Sequence, residues 1–396
     1  MTTVATRLAA ICDMIEQHRV TGTAISARRA ATISAMIDDV TATAAEGRPR
    51  ACRRKRRMAS ASRYKQEGRR LVGGGGQGQG VIVRARHRAT GQAVAVKSLH
   101  RRSGGSYVGD VLREACFTAT GAGHPSLVAF RTVARRAGTA DYSITQSRRG
   151  DVPFPVADVR RVMRQLLAGA EAMHQHGVVL VHRDIKPDNI LVSAGTGGVK
   201  ICNLGAAKSV SEKDPPSQFA GTTANADHGT PVDMWSLGCV MAELLTGQLL
   251  FAGAEYEAHQ LFKIFDALGV PCKREWQALK PQVHDDKVEV WRARQVRQMR
   301  QRRRNRLREL VPPEILSAGG FQVLRGLLTC DPEKRVTAAA ALQCPWFTSN
   351  DVGDAPTTLT RICVTDISAL ASKPWSLAMP FVARLLGFIR PKVPLH

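Results

Sequence analysis

One short segment restricts this chain more than any other. His182-Arg-Asp-Ile-Lys-Pro-Asp-Asn189 sets histidine, aspartate, lysine and asparagine at fixed offsets and runs directly into the apolar, strand-forming Ile190-Leu-Val192. Four polar residues at fixed offsets, followed at once by a strand-forming run, make chance a poor explanation of the pattern.

The rest of the chain can build a scaffold for such a loop. At 396 residues with 44% hydrophobic composition it is long enough for two or three domains and apolar enough for a large core, which excludes wholesale disorder. No apolar run approaches the roughly 18 residues of a membrane-spanning helix. The formal charge is +24, and it is uneven. Arg48–Arg57 holds 7 basic residues and Arg292–Arg308 holds 9, neither with an acid; without these runs the charge falls to +8. The pattern argues for a near-ordinary domain with two basic attachments rather than a uniformly basic, histone-like protein. Nine cysteines, an odd number with no C-x-x-C pair, and no secretory apolar region at the N-terminus give the expectation of a reduced, intracellular protein without a zinc site.

Periodicity orders the elements. Residues 1–58 read as a weakly ordered basic extension with some helix. Residues 71–100 read as a β-hairpin opened by a glycine loop, with Thr90-Gly91 at its turn. Helices are predicted at Asp110–Thr120, at Val156–His174 with Val159, Val162, Met163, Leu166, Leu167, Ala170 and Met173 on one face, at Val232–Leu245, which is apolar almost all round, and at Thr337–Leu342. Strands come early and helices late, an α+β plan. The tail, 351–396, carries an apolar stretch too short to span a bilayer.

His182–Asn189 resembles the H-R-D-x-K-x-x-N catalytic loop of eukaryotic protein kinases, in the form found in serine/threonine kinases. The resemblance implies that Asp184 orients the substrate hydroxyl and accepts its proton, that Lys186 neutralises charge on the transferring phosphate, and that Asn189 holds Mg²⁺. Ala93-Val-Ala-Val-Lys97 is similar to the third kinase strand: Ala95 leaves room for a flat base and Lys97 reaches the phosphates of ATP. Glu114, 17 residues on, is the implied partner of Lys97. The glycine frame falls on Gly75, Gln77, Gly80 and Ile82; its middle glycine is replaced by Gln77, with Gly78 adjacent. Pro231-Val-Asp-Met-Trp-Ser-Leu-Gly238 resembles a kinase helix whose buried aspartate, here Asp233, hydrogen-bonds the catalytic-loop backbone. Asp331-Pro-Glu-Lys-Arg335 and Pro345-Trp-Phe347 resemble the end of the large lobe. Residues 59–350 are thus identified as a kinase domain of cyclin-dependent-kinase-like, plant F-type style. A small β-rich lobe of about 71–145 and a helical lobe of about 146–347 are expected. ATP with Mg²⁺ or Mn²⁺, a protein substrate, and a cyclin or other regulatory subunit are implied.

Four departures qualify the resemblance. Asn203-Leu-Gly205 stands where kinases have D-F-G, so Asn203 brings a neutral oxygen to the metal position. The run from Asn203 to Asp233 is short and lacks A-P-E, which takes the expected glutamate from Arg335; Arg335 is therefore expected to be re-paired or exposed. The stretch after the strand Asp141–Thr145, which leads into the hinge, is short. Val178–Val181 carries extra residues. Three readings follow: a serine/threonine kinase of impaired activity, a pseudokinase that binds partners, or a nuclear nucleic-acid-associated protein. Arg53–Arg57 fits a nuclear-import signal, with a nuclear and also cytoplasmic location expected. Both basic runs suit an acidic partner or nucleic acid. The helix around Glu114 lacks the cyclin-reading signature, and Ser217, Thr222 and Thr223 are the candidate activating phosphosites.

Overall fold

The computed structural model describes residues 10–15, 17–18, 29, 32–33, 35–37, 59–60, 64–67, 81–91, 93–98, 107–121, 124–128, 134–135, 154–175, 180–192, 197–209, 229–251, 257–270 and 305–348. The glycines Gly75, Gly78 and Gly80, the run 48–57, most of 292–308, the hinge strand, the three candidate phosphosites and the tail lie outside them.

The hairpin expected around Thr90-Gly91 forms, while its glycine loop lies outside the described residues. Strands β1 (Ala59–Ser60), β2 (Tyr64–Gln66), β3 (Val81–His87) and β4 (Ala93–Ser98) come first; β2, β3 and β4 make an antiparallel sheet in that order. Gly91 has φ +66° and its N–H bonds His87 O at 2.9 Å, closing the turn where glycine bears a positive φ without steric cost. The β3–β4 register sets Ile82 directly opposite Lys97 and Arg84 opposite Ala95.

Helix α1 (Tyr107–Thr120) begins three residues before its predicted start. The short β5 (Ala134–Arg135) pairs in parallel with β1. Helix α2 (Val156–Gln175) buries every residue of the stripe predicted for it, and it packs on α3 (Pro231–Thr246). As its composition requires, α3 is buried almost all round; it stops at Gly247, whose φ of 71° lets its N–H close on Glu243 O at 2.8 Å. Between these helices run β6 (Leu180–Val181), β7 (Ile190–Val192), β8 (Val199–Ile201) and β9 (Lys208–Ser209), paired β6–β9 and β7–β8. Helices α4 (Glu257–Leu268), α5 (Leu307–Leu310), α6 (Ala318–Leu327), α7 (Ala338–Leu342) and α8 (Pro345–Thr348) complete the order, with α6 against α3 and α7 against α2. Thr337, expected as the first residue of α7, caps it instead, accepting the Ala340 N–H.

The core is one connected apolar cluster, and it reaches into the N-terminal extension. The described residues 10–15 and 35–37 are helical, and Ile11, Ile15, Ile33 and Ile37 are buried in that cluster. Cys12 Sγ donates to Cys116 Sγ of α1 at 2.7 Å, so this segment lies against the helix that carries Glu114.

Candidate active site

The polar loop between β6 and β7 is held from below by one buried carboxylate. Asp233, in the first turn of α3, accepts the backbone N–H of His182 at 2.8 Å and of Arg183 at 2.9 Å, and the His174 ring N–H at 3.0 Å. Burial pushes this carboxyl up. The His174 hydrogen bond and charge, with the charge and backbone N–H of His182, together outweigh that and leave it below its ordinary value. The His182 ring donates from Nε2 to Cys202 O at 2.9 Å, so Nδ1 is the acceptor that meets the Asp184 N–H at 3.3 Å. These bonds fix the first end of the loop, and Cys202 N–H donating to Asn189 O at 2.9 Å fixes the other, the condition for holding Asp184 in one orientation.

Asp184 has a partner on each oxygen. Lys186 Nζ donates to Oδ1 at 2.9 Å and Asn189 Nδ2 to Oδ2 at 2.9 Å, while the same Nδ2 reaches Asp184 O at 2.6 Å. Lys97 of β4 meets Glu114 of α1 at 2.6 Å, both about nine-tenths buried, and its Nζ also donates to Asn203 Oδ1 at 2.6 Å. Asn203 Nδ2 in turn donates to Asn189 Oδ1 at 2.9 Å. One unbroken chain therefore runs from Glu114 through Lys97, Asn203, Asn189 and Asp184 to Lys186. It joins residues that the sequence reading set apart as nucleotide-binding, metal-binding and catalytic. Glycine at 205 leaves room for the Lys97–Glu114 pair: a Cβ there would lie 3.1 Å from Glu114 Oε2, which would have to give by a few tenths of an ångström.

Asn189 and Asn203 are the residues assigned to Mg²⁺ by resemblance, and their geometry tests that assignment. Mg²⁺ favours carboxylate oxygens and phosphates. Asn203 has a single oxygen, committed to Lys97, and turns its NH₂ toward Asn189 Oδ1. Flipping the amide would set NH₂ against an ammonium and oxygen against oxygen. The donor set does not fit a divalent cation at Asn203. Among the described residues no cluster of three His, Cys, Asp or Glu forms a metal site either.

Other assignments sort cleanly. Ile82 and Ala95 sit on the β3–β4 hairpin around Lys97. Arg335 is re-paired and buried: it donates to Thr329 O at 2.9 Å, Pro231 O at 2.7 Å and Cys330 O at 3.1 Å, and lies over the Trp235 ring. Burial pushes this guanidinium down to about 10, against the pull of Cys330, Cys239 and Asp331. Two features escaped the sequence reading. His174 anchors Asp233 from the last turn of α2, a position its helical phase could have indicated. The direct Lys97–Asn203 bond has no sequence signal, because it joins residues 106 apart.

Comparison with known proteins follows this geometry. The sequence pattern of the protein kinase domain matches residues 67–347. The chain is 39% identical over 311 residues to the putative cyclin-dependent kinase F-2 of Oryza sativa subsp. japonica, covering 71% of this chain and 90% of that protein. It is 33% identical over 295 residues to cyclin-dependent kinase G-2 of Oryza sativa subsp. indica, covering 68% of this chain but 39% of that longer protein. It is 34% identical over 203 residues to the serine/threonine-protein kinase ICK of Rattus norvegicus, covering 49% of this chain and 30% of that protein. Among solved structures, a chain of the yeast RNA Pol II CTD kinase CTDK-1 complex matches 76% of this chain and 97% of its own length, with TM-score 0.57 and 24% identity. At that identity the likeness is one of fold, the two-lobed α+β fold expected from the sequence.

Proposed function

The chain belongs to the protein kinase family, in its cyclin-dependent-kinase-like serine/threonine group, and from that membership we propose that it binds ATP and transfers the γ-phosphate to serine or threonine hydroxyls of protein substrates, at a rate lowered by Asn203. The observation that carries this reading is the assembled chain Glu114–Lys97–Asn203–Asn189–Asp184–Lys186.

Each residue has a chemical task in this reading. Lys97, oriented by Glu114, places its ammonium where phosphate oxygens arrive. Asp184 orients the substrate hydroxyl and takes its proton, a contribution of about 10²–10⁴-fold in rate for a positioned base. Lys186 stands beside Asp184 and offsets charge on the moving phosphoryl group. Protein kinases use ATP with Mg²⁺, which spreads charge on the phosphates; the Asn203 amide does not fit that cation, and the rate is lowered accordingly.

A second reading, a pseudokinase that binds partners, is favoured by the same Asn203 amide. A regulatory subunit, a nuclear location and docking of acidic partners or nucleic acid at the basic runs belong to the proposal as well, by likeness to cyclin-dependent kinases and from the charge of Arg48–Arg57 and Arg292–Arg308. The test uses the full chain, labelled ATP, a generic basic protein substrate, and Mg²⁺ or Mn²⁺. Slow transfer is expected, with a loss of about 10³-fold in Asp184→Ala and a gain of about 10²-fold in Asn203→Asp. Transfer that survives Asp184→Ala would sink the kinase reading. Nucleotide binding without transfer in the native chain would establish the second.

A further inference from the structure

We infer that this site takes ATP without a divalent cation. The inference rests on the reading that the site is for ATP, and concerns how the triphosphate is received.

The Asn203 side chain has one acceptor end and one donor end, and the network uses both. Its oxygen holds Lys97 Nζ at 2.6 Å; its NH₂ holds Asn189 Oδ1 at 2.9 Å. The bonds fix the amide in a single sense, because the flipped form opposes donor to donor at Lys97 and acceptor to acceptor at Asn189. A cation seeking Asn189 Oδ1 must displace an N–H donor and then face the positive end of the Asn203 amide. A carboxylate at this position would behave differently, since both of its ends are acceptors and the second would turn toward the cation.

Charge leads to the same conclusion. The network contains two cations, Lys97 and Lys186, and two anions, Glu114 and Asp184, and each anion is already paired: Glu114 with Lys97 at 2.6 Å, Asp184 with Lys186 at 2.9 Å. The four formal charges cancel. An aspartate at 203 would leave the set one unit negative, and a triphosphate could approach it only with a bridging cation. With Asn203, the phosphates meet two ammonium groups and the second N–H of the Asn203 amide, the first being held by Asn189 Oδ1. These donors sit in a largely buried setting, where a charge interaction is screened less than in water. The amide that deprives the cation of a ligand thus gives the phosphate a donor.

The experiment measures binding, not turnover. A fluorescent ATP analogue is titrated into the full chain in excess EDTA and again in Mg²⁺, for the native chain and for Asn203→Asp. Native affinities within about 2-fold of each other are expected, whereas Asn203→Asp should bind about 10-fold or more tightly with Mg²⁺ than with EDTA. A native affinity about 10-fold weaker in EDTA overturns the inference and leaves the ATP reading intact. Absence of binding in both conditions overturns the ATP reading, and this inference with it. The native arms decide the matter even if Asn203→Asp fails to fold. A chain that binds in EDTA yet transfers no phosphate supports the inference and refutes only the kinase activity.

Discussion

Arg183 and Asn203 are the two described residues other than glycine with positive φ, at 64° and 69°, and they flank the β7–β8 hairpin from its two ends. Each sits in a conformation that L side chains adopt at a cost and that surrounding bonds must enforce. At Arg183 the enforcement comes from charge: Asp233 holds its N–H, and its own Nε donates to Ala206 O at 2.9 Å. At Asn203 it comes from an amide between Lys97 and Asn189. Asparagine tolerates this conformation better than most residues, and it brings no charge to the position. The half of the site anchored by Asp233 and the half that faces Lys97 are therefore held by different kinds of group. One is held by a carboxylate, Asp233; the other by the neutral amide of Asn203.

The difference can be tested most severely at the anchor. Asp233→Ala leaves the N–H groups of His182 and Arg183 and the His174 ring without their buried acceptor, a cost of about 3 kcal/mol. Denaturant unfolding should show a lowered midpoint, and retention of native stability would mean the loop is held by other bonds. A smaller effect is expected on the other side. In Gly205→Ala the new methyl would press on Glu114 Oε2 at 3.1 Å and cost about 1 kcal/mol, read as weaker nucleotide binding with little change in melting temperature. If melting falls as far as in Asp233→Ala, the two halves are not separable.

The smallest effect is acid sensitivity. The Asp233 carboxyl lies below its ordinary value when folded, so on acidification the unfolded chain takes up this proton first. Its contribution is complete above the ordinary aspartate pKa of about 3.9 and is lost as pH falls through the lowered folded value. A melting series from pH 6 to pH 3, in steps of about half a unit, should drop more steeply at its acid end for the native chain than for Asp233→Asn. Identical acid limbs would show that other carboxylates set the response.

Much of this was legible in the residues. The stripe of α2 was read in full because a 3.6-residue period reports burial directly. The hairpin turn at Thr90-Gly91 and the polar loop His182–Asn189 are legible because a turn and a motif are local. The pairing of Lys97 with Glu114 came from spacing and family resemblance together. Asn203 was read as a loss of charge at a metal position. Its actual partners could not be read, since the sense of an amide is decided by which donor and which acceptor lie on either side of it. Arg335 was expected to be re-paired or exposed, and three backbone carbonyls settled which. Carbonyls belong to every residue and leave no mark in composition.

The sequence by itself determined the β3–β4 hairpin, the helices α1, α2, α3 and α7, the polar loop His182–Asn189 and the family, because these rest on motifs and on the two periods of secondary structure. Tertiary structure alone decided three things: that Asn203 closes on Lys97, that Arg335 is held by Pro231 O, and that Cys12 of the extension meets Cys116 on the Glu114 helix. Those partners lie 106, 104 and 104 residues apart. No local preference reaches over such distances; only the packing of a common core brings them together.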